Sequence, residues 1–183
     1  MTPKIIIIPG NGNSNVEKDH WYSWVRGRLI GLGYHVVMKN MPDPELAHEN
    51  IWLPFIEKEL GADENTIIIG HSSGGVAALR YLETHKLLGA VVIGVNYTDL
   101  GDPGEKESGY YDTPWQWGMI KNNAKWIVQF CSPEDPYIPI NEPLFISEQI
   151  GSELHDIRGA GHFMTPVFPE LLAVIHAKAP LVK

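Results

Sequence analysis

The sequence predicts an α/β fold, a mostly parallel sheet of six strands with helices packed on both faces as a three-layer sandwich. Three observations carry that prediction. Apolar runs of strand length recur along the chain, and stretches with apolar residues at helical spacing lie between them. The strand-like runs are continuous in Ile and Val rather than alternating with polar residues, which marks strands buried on both faces. With 183 residues, 44% of them hydrophobic and 20% charged, the chain is long enough to bury a core of its own, and a single domain over residues 1–183 is expected.

In order, the strands are expected at Lys4–Ile8, Tyr34–Met38, Thr66–Ile69, Ala90–Val95, Trp126–Phe130 and, from a weaker pattern, Glu153–Ile157. After the first comes a helix with Trp21, Val25, Leu29 and Leu32 on its buried face. The region from Glu45 to Leu60 is also helical in spacing, but Pro54 removes a hydrogen bond and clashes with the preceding turn, so a kink or a restart near Leu53 is expected. Leu79 and Leu82 mark the third helix, Leu144, Ile146 and Ile150 a later one, and Leu171, Leu172 and Ile175 the last. One long segment, Tyr97 to Tyr111, is irregular and rich in Gly, Asp, Glu and Pro, and it runs on into Thr113-Pro114-Trp115-Gln116-Trp117. Because it follows the fourth strand it should overhang the carboxyl edge of the sheet, where open parallel sheets bind their ligands.

Charge and cysteine usage narrow the function classes. Fourteen Lys plus Arg against 22 Asp plus Glu give a formal charge of -8, which repels phosphate backbones and anionic lipid surfaces and argues against nucleic acid and membrane partners. The apolar run Ile5-Ile6-Ile7-Ile8 is too short for a signal-peptide core and ends at Pro9-Gly10, so a soluble, cytoplasmic protein is expected. A single cysteine, Cys131, excludes an internal disulfide and, ending a strand-like run, reads as packing rather than as a nucleophile. Scattered histidines with no His-Glu-x-x-His and no cysteine pair argue against a metal site. Gly10-Asn11-Gly12-Asn13-Ser14-Asn15 partly mimics a dinucleotide fingerprint, but Asn15 stands where the third glycine belongs and no ribose-binding acid follows Lys39-Asn40, so no cofactor is expected.

The chemistry is concentrated in Gly70-His71-Ser72-Ser73-Gly74, which follows the apolar run Ile67-Ile68-Ile69 and precedes the small-residue helical stretch Gly75-Val76-Ala77-Ala78-Leu79. A serine on such a strand-to-helix turn is lifted above the end of its strand, and the flanking glycines let strand and helix approach. Ser72 is the candidate nucleophile. A hydroxyl needs a base within reach and a third group to hold that base in the correct tautomer. Hydrolases built on this turn order them Ser, then Asp or Glu, then His, each on a loop after a later strand. Asp135, in Cys131-Ser132-Pro133-Glu134-Asp135-Pro136, and His162, in Gly159-Ala160-Gly161-His162-Phe163, occupy those loops. Glu134 competes with Asp135, which is preferred for its shorter side chain and the turn fixed by Pro136. His71 should point away from the site, His155 lies in the sixth strand, and His20, His35, His48, His85 and His176 fall in helical or strand segments. Oxyanion donors are expected from the amides of Ser73 and of Asn11, the latter in the glycine-rich loop after the first strand. Trp115 and Trp117 should wall an apolar acyl pocket above Ser72.

Pro9-Gly10-Asn11-Gly12, Asn40-Met41-Pro42-Asp43-Pro44, Gly70-His71-Ser72-Ser73-Gly74, Ser108-Gly109-Tyr110, Pro114-Trp115-Gln116-Trp117 and Gly161-His162-Phe163 together resemble the small serine hydrolases typified by retinoblastoma-binding protein nine. The resemblance spans nearly the whole chain. It implies a compact α/β-hydrolase fold with a six-stranded parallel sheet, a reduced cap and a Ser-Asp-His triad on Ser72, Asp135 and His162. The family's name refers to a Leu-x-Cys-x-Glu motif that binds the retinoblastoma protein. Here the matching stretch is Leu60-Gly61-Ala62-Asp63-Glu64, and the cysteine is replaced by Ala62, which argues against partner binding through it. The expected activity is hydrolysis of a small-molecule ester, with an amide or aminoacyl substrate as a variant. A thioesterase or acyltransferase shares the same machinery, and a non-catalytic interaction module on this fold is the rival from another class.

Overall fold

The structure, a computed structural model, describes residues 2–181. Its elements run β1 (Lys4–Ile8), α1 (Tyr22–Gly31), β2 (His35–Met38), α2 (Glu49–Lys58), β3 (Thr66–His71), α3 (Ser73–Leu82), β4 (Gly89–Ile93), α4 (Pro103–Glu107), α5 (Trp117–Asn122), β5 (Ile127–Cys131), α6 (Asn141–Ile150), β6 (Glu153–Asp156) and α7 (Pro169–Lys178). All strand pairs are parallel, in the order β2-β1-β3-β4-β5-β6. β-Branched side chains are stiff and favour the pleated backbone, so the Ile and Val runs become strands. Their alternation divides the core into two layers. Ile5, Ile7, Ile67, Ile69, Val91 and Ile93 pack with Val25 and Leu29 of α1 and Leu171 and Ile175 of α7. Ile6, Ile8, Ile68 and Val92 pack on the other face with Trp52 and Ile56 of α2, Val76 and Leu79 of α3, and Ile146 of α6. Each such fully buried side chain contributes about 1.5–3 kcal/mol, and this places the sheet at the centre of three layers.

Besides shifts of one or two residues at the ends of β2, β3, β5 and β6, the structure departs from the sequence reading in four respects. Leu32 and Leu144 are exposed rather than core residues, at 52% and 48%: Leu32 is the residue that caps the end of α1, and Leu144 stands on the side of α6 opposite the buried Ile146 and Ile150. Helix α2 runs unbroken through Pro54, which is exposed while Trp52 and Ile56 on the opposite face are buried. Burial of those two side chains outweighs the one backbone bond that proline removes. Strand β4 ends at Ile93, not Val95, because Gly94 turns to a φ of 58°. The irregular segment contains α4, started by Asp102, whose Oδ1 accepts from the Gly104 and Glu105 amides, with Pro103 in the first helical position.

β1 lies between β2 and β3, so the chain leaves it first to one side and later to the other. A crevice opens at such a reversal, outside the carboxyl ends of the strands. The loops after β1, β3, β4, β5 and β6 all meet there, and they carry the candidate residues.

Candidate active site

Ser72 joins β3 to α3 with φ 51° and ψ -124°, a conformation that costs a non-glycine residue on the order of 1–3 kcal/mol. It is held by bonds on both sides: its N–H donates to the Ile93 carbonyl at 2.8 Å, and its carbonyl accepts from Gly75 and Val76 at 2.8 and 3.0 Å. The glycines around it are steric necessities. A Cβ on Gly70 would lie 2.6 Å from the Gly74 carbonyl carbon and 2.7 Å from the Gly75 Cα, and one on Gly74 would overlap the carbonyls of Ile8 and Pro9. Strand and helix therefore pass at a separation that only glycine permits.

His162 follows β6, on a tight loop between Gly161 at φ 56° and Phe163 at φ 55°. Phe163 is buried against Phe130 and Phe168, which drives the loop down onto the sheet and leaves the imidazole facing the crevice. Nδ1 of His162 lies 2.7 Å from Asp135 Oδ2, and the two side chains are only 9% and 3% exposed. The other oxygen, Oδ1, accepts from the amides of Tyr137 and Ile138 at 2.9 and 3.0 Å. Burial pushes the Asp135 carboxyl up, but the hydrogen bond and charge of His162 and these two amides outweigh it, and the net direction is down. A carboxylate is an acceptor only, so His162 Nδ1 carries the proton and Nε2 is left free to accept one. Gly94 makes room for the pair, since a Cβ there would stand 3.1 Å from His162 Cε1 and 3.5 Å from Asp135 Oδ2. Glu134 makes no hydrogen bond to the imidazole. Its Oε2 accepts from Ser132 Oγ and the Gly159 amide at 3.1 and 2.9 Å, tying the loop after β5 to the loop after β6.

Ser72, His162 and Asn11 line one cavity of about 550 Å³, together with Gly10, Asn13, His20, Leu100, Tyr137, Ile138 and Met164 among others. The loop after β1 is shaped by Asn13, whose Nδ2 donates to the carbonyls of Gly10 and Asn11, and is braced by the Gly12 amide on the Pro44 carbonyl at 2.7 Å. Gly10 sits against the nucleophile, its would-be Cβ 3.0 Å from Ser72 Cβ. The Ser73 side chain is buried in packing, and its amide stands at the start of α3, where N–H groups have no acceptor within the helix. A second His–Asp pair, His48 Nδ1 and Asp43 Oδ2 at 2.6 Å, lies outside this cavity and closes the turn before α2. Cys131 is buried, and burial followed by the charge of Asp156 pushes its thiol up to about 11, so it stays protonated at neutral pH.

Three expectations need correction. Trp115 and Trp117 do not wall the cavity at Ser72. They stack on each other at 5.0 Å, with Arg80 over the Trp115 ring at 3.7 Å and Trp115 Nε1 donating to the Tyr97 carbonyl at 2.8 Å. Buried Arg80, which also binds the carbonyls of Tyr110 and Thr113, draws these rings back over α3. The apolar wall comes instead from Leu100, Ile138, Tyr137 and Met164. His71 does not point away: its buried ring packs beside the His162 ring at 5.0 Å, and its Nε2 lies 2.8 Å from the His162 carbonyl. His20 is in the turn before α1 at φ 46° and also lines the cavity. Sequence reasoning likewise missed Glu142 of α6, a buried carboxylate that accepts from the Tyr97 and Thr98 amides and the Thr98 hydroxyl and so fixes the loop carrying Leu100. An acid on an otherwise apolar helical stripe was its only signal.

A strained serine on a strand-to-helix turn and a loop-borne imidazole backed by a carboxylate, at the carboxyl edge of a parallel sheet, define a hydrolase of the α/β-hydrolase fold. The chain belongs to the serine hydrolase family, which it matches over residues 5–166. It is 46% identical over 173 residues to the serine hydrolase RBBP9 of Rattus norvegicus, covering 94% of this chain and 93% of that protein. The solved structure of the YdeN gene product from Bacillus subtilis superposes with a TM-score of 0.87 at 24% identity, over 97% of this chain and 98% of that one. Est1E from Butyrivibrio proteoclasticus, solved with ferulic acid bound, shares the fold at a TM-score of 0.68 and 16% identity, over 97% of this chain and 86% of its own. The resemblance read from the sequence is thereby borne out.

Proposed function

We propose that the protein hydrolyses a small ester through an acyl-enzyme on Ser72, with His162 as base and then acid and Asp135 as the group that orients it. The observation that carries this reading is the 2.7 Å bond from His162 Nδ1 to Asp135 Oδ2 behind a cavity that also exposes Ser72. Ser72 Oγ attacks the carbonyl carbon while its proton passes to His162 Nε2. The carbonyl oxygen gains the negative charge, which the amides of Asn11 and Ser73 stabilise. As the bond to the leaving alcohol breaks, Nε2 returns the proton to the alcohol oxygen. Water then repeats the sequence, releasing the acid and free Ser72. No metal or cofactor takes part in this cycle.

A cavity of about 550 Å³ fits a small ester, and Leu100, Ile138 and Met164 offer an apolar wall for its carbon chain. Asp102 and Glu105 line the same cavity and disfavour an anionic chain. Among the described residues no helix is long and apolar enough to cross a membrane; this reading places the protein in the cytoplasm, where its single, buried cysteine needs no disulfide partner. Ala62 in place of the motif cysteine, beside a Leu60 sunk into the core, speaks against a retinoblastoma-protein interface there. The test is labelling with a fluorophosphonate. Labelling of the native protein that disappears in Ser72→Ala is the expected result, and a folded native protein that takes no label points to a non-catalytic interaction module instead.

A further inference from the structure

We propose that His71 is a positioning residue for the base, holding the main chain of His162 through a hydrogen-bond relay that begins at Gly10. This rests on the reading of His162 as the base. The Gly10 N–H donates to the Tyr22 hydroxyl at 3.3 Å, the Tyr22 hydroxyl meets His71 Nδ1 at 2.6 Å, and His71 Nε2 meets the His162 carbonyl at 2.8 Å. A single arrangement of protons satisfies all three contacts. A carbonyl has none to give, so Nε2 must donate; Nδ1 of the neutral ring is then an acceptor, and the phenol supplies its proton while accepting from Gly10. A doubly protonated His71 would leave the phenol proton without this partner. Burial, and next the charge of His162, hold the imidazole down to about 3 and keep it neutral.

The relay links three loops that the mechanism requires in register. Gly10 adjoins Asn11, the donor expected for the oxyanion. His71 adjoins Ser72. His162 carries the base itself. Tyr22 and His71 are 0% and 1% exposed, so water cannot replace either partner, and each link is worth more than at the surface. His71 is also immovable, as the last residue of β3 in register with Ile93 of β4. The loop it holds needs such a clamp, because Phe163, next to His162, is a non-glycine residue held at φ 55° and favours relaxation to other conformations. A shift of about 1 Å in a reacting group costs on the order of 100-fold in rate.

Tyr22→Phe is the decisive variant, since it keeps the ring packing and removes the hydroxyl at the middle of the relay. With folding checked by urea titration, kcat for p-nitrophenyl acetate is expected to fall by roughly 10- to 100-fold with KM held within about threefold. Fluorophosphonate labelling should slow in parallel. His71→Gln, which keeps an N–H for the His162 carbonyl, should retain more of kcat than His71→Ala. A folded Tyr22→Phe protein with kcat within about twofold of the native value, or with KM alone changed, overturns the relay. His162→Ala, measured alongside, separates the two levels. If it abolishes turnover while Tyr22→Phe does not, only the relay is wrong; if turnover survives in His162→Ala, the reading of the site itself is wrong.

Discussion

His71 makes the stability of this protein steeply dependent on acid, and the dependence can be worked from its burial. In the folded chain burial, and then the charge of His162, push the imidazole from 6.5 down to about 3. Below pH 6.5 the unfolded chain therefore takes up a proton at His71 that the native state refuses until about pH 3. The stabilisation due to the neutral ring is whole above that upper value and is lost as pH falls through the interval. At full slope the loss is about 1.4 kcal/mol per pH unit, and over the whole interval about 5 kcal/mol, comparable with the total stability of many single domains. His20, lowered chiefly by burial, acts in the same direction, whereas Glu49, raised chiefly by burial, opposes it. Asp43, Asp63 and Asp135 are lowered and lose their contributions only at more acid pH. Comparing the native protein with His71→Gln cancels these other groups. Urea titrations from pH 7 to about pH 4.5 should find the variant weaker at neutral pH by ~1–3 kcal/mol, for the buried bonds it disturbs. Its stability should then fall less steeply, by about 1.4 kcal/mol per unit, so that the two curves converge near pH 5. Parallel curves across that range would refute the buried, neutral assignment.

Asp135→Asn should lower kcat by roughly 10⁴-fold, because an amide no longer enforces the productive tautomer of His162, while Glu134→Gln should stay within about tenfold, its carboxylate serving only to tie two loops. Steady-state hydrolysis of p-nitrophenyl acetate by the two variants decides between these neighbouring acids. Gly94→Ala places a methyl group 3.1 Å from His162 Cε1 at a residue with φ 58°, and is expected to cost about 1–2 kcal/mol of stability and 10- to 100-fold in kcat. Equal kcat with a lowered melting temperature would show that the pair tolerates the intrusion. Arg80→Met should destabilise by about 2–4 kcal/mol in urea, since it removes the donors to the Tyr110 and Thr113 carbonyls, the ion pair to Glu83 and the cation over the Trp115 ring.

What the sequence made legible was local. Four isoleucines in a row can bury both faces of a strand and little else, and Gly70-His71-Ser72-Ser73-Gly74 between an apolar run and a small-residue helix admits one backbone path. Asp135 and His162 were legible because each closes a strand-like run at the edge where parallel sheets place their loops. What escaped depends on contacts between segments far apart in the chain. The direction of the His71 ring is set by Tyr22 and by the His162 main chain, and nothing within the five-residue motif encodes either. Trp115 and Trp117 lie near the right edge, yet buried Arg80 on α3 turns them from the cavity. Leu32 continues a helical stripe in sequence but falls at the helix end, and Leu144, two residues from Ile146, faces the other side of its helix. Period alone cannot tell where a stripe stops meeting its partner.

Turnover through Ser72 requires an acyl group resting on its Oγ, and the most direct measurement is rapid mixing with p-nitrophenyl acetate followed by acid quench and peptide mass analysis. A burst of p-nitrophenol close to one equivalent, with the acetyl group on the peptide that contains Ser72, is the predicted result. Turnover with no burst and no acylated Ser72 even when deacylation is slowed, or an acetyl group on any other side chain that disappears with activity, would contradict it.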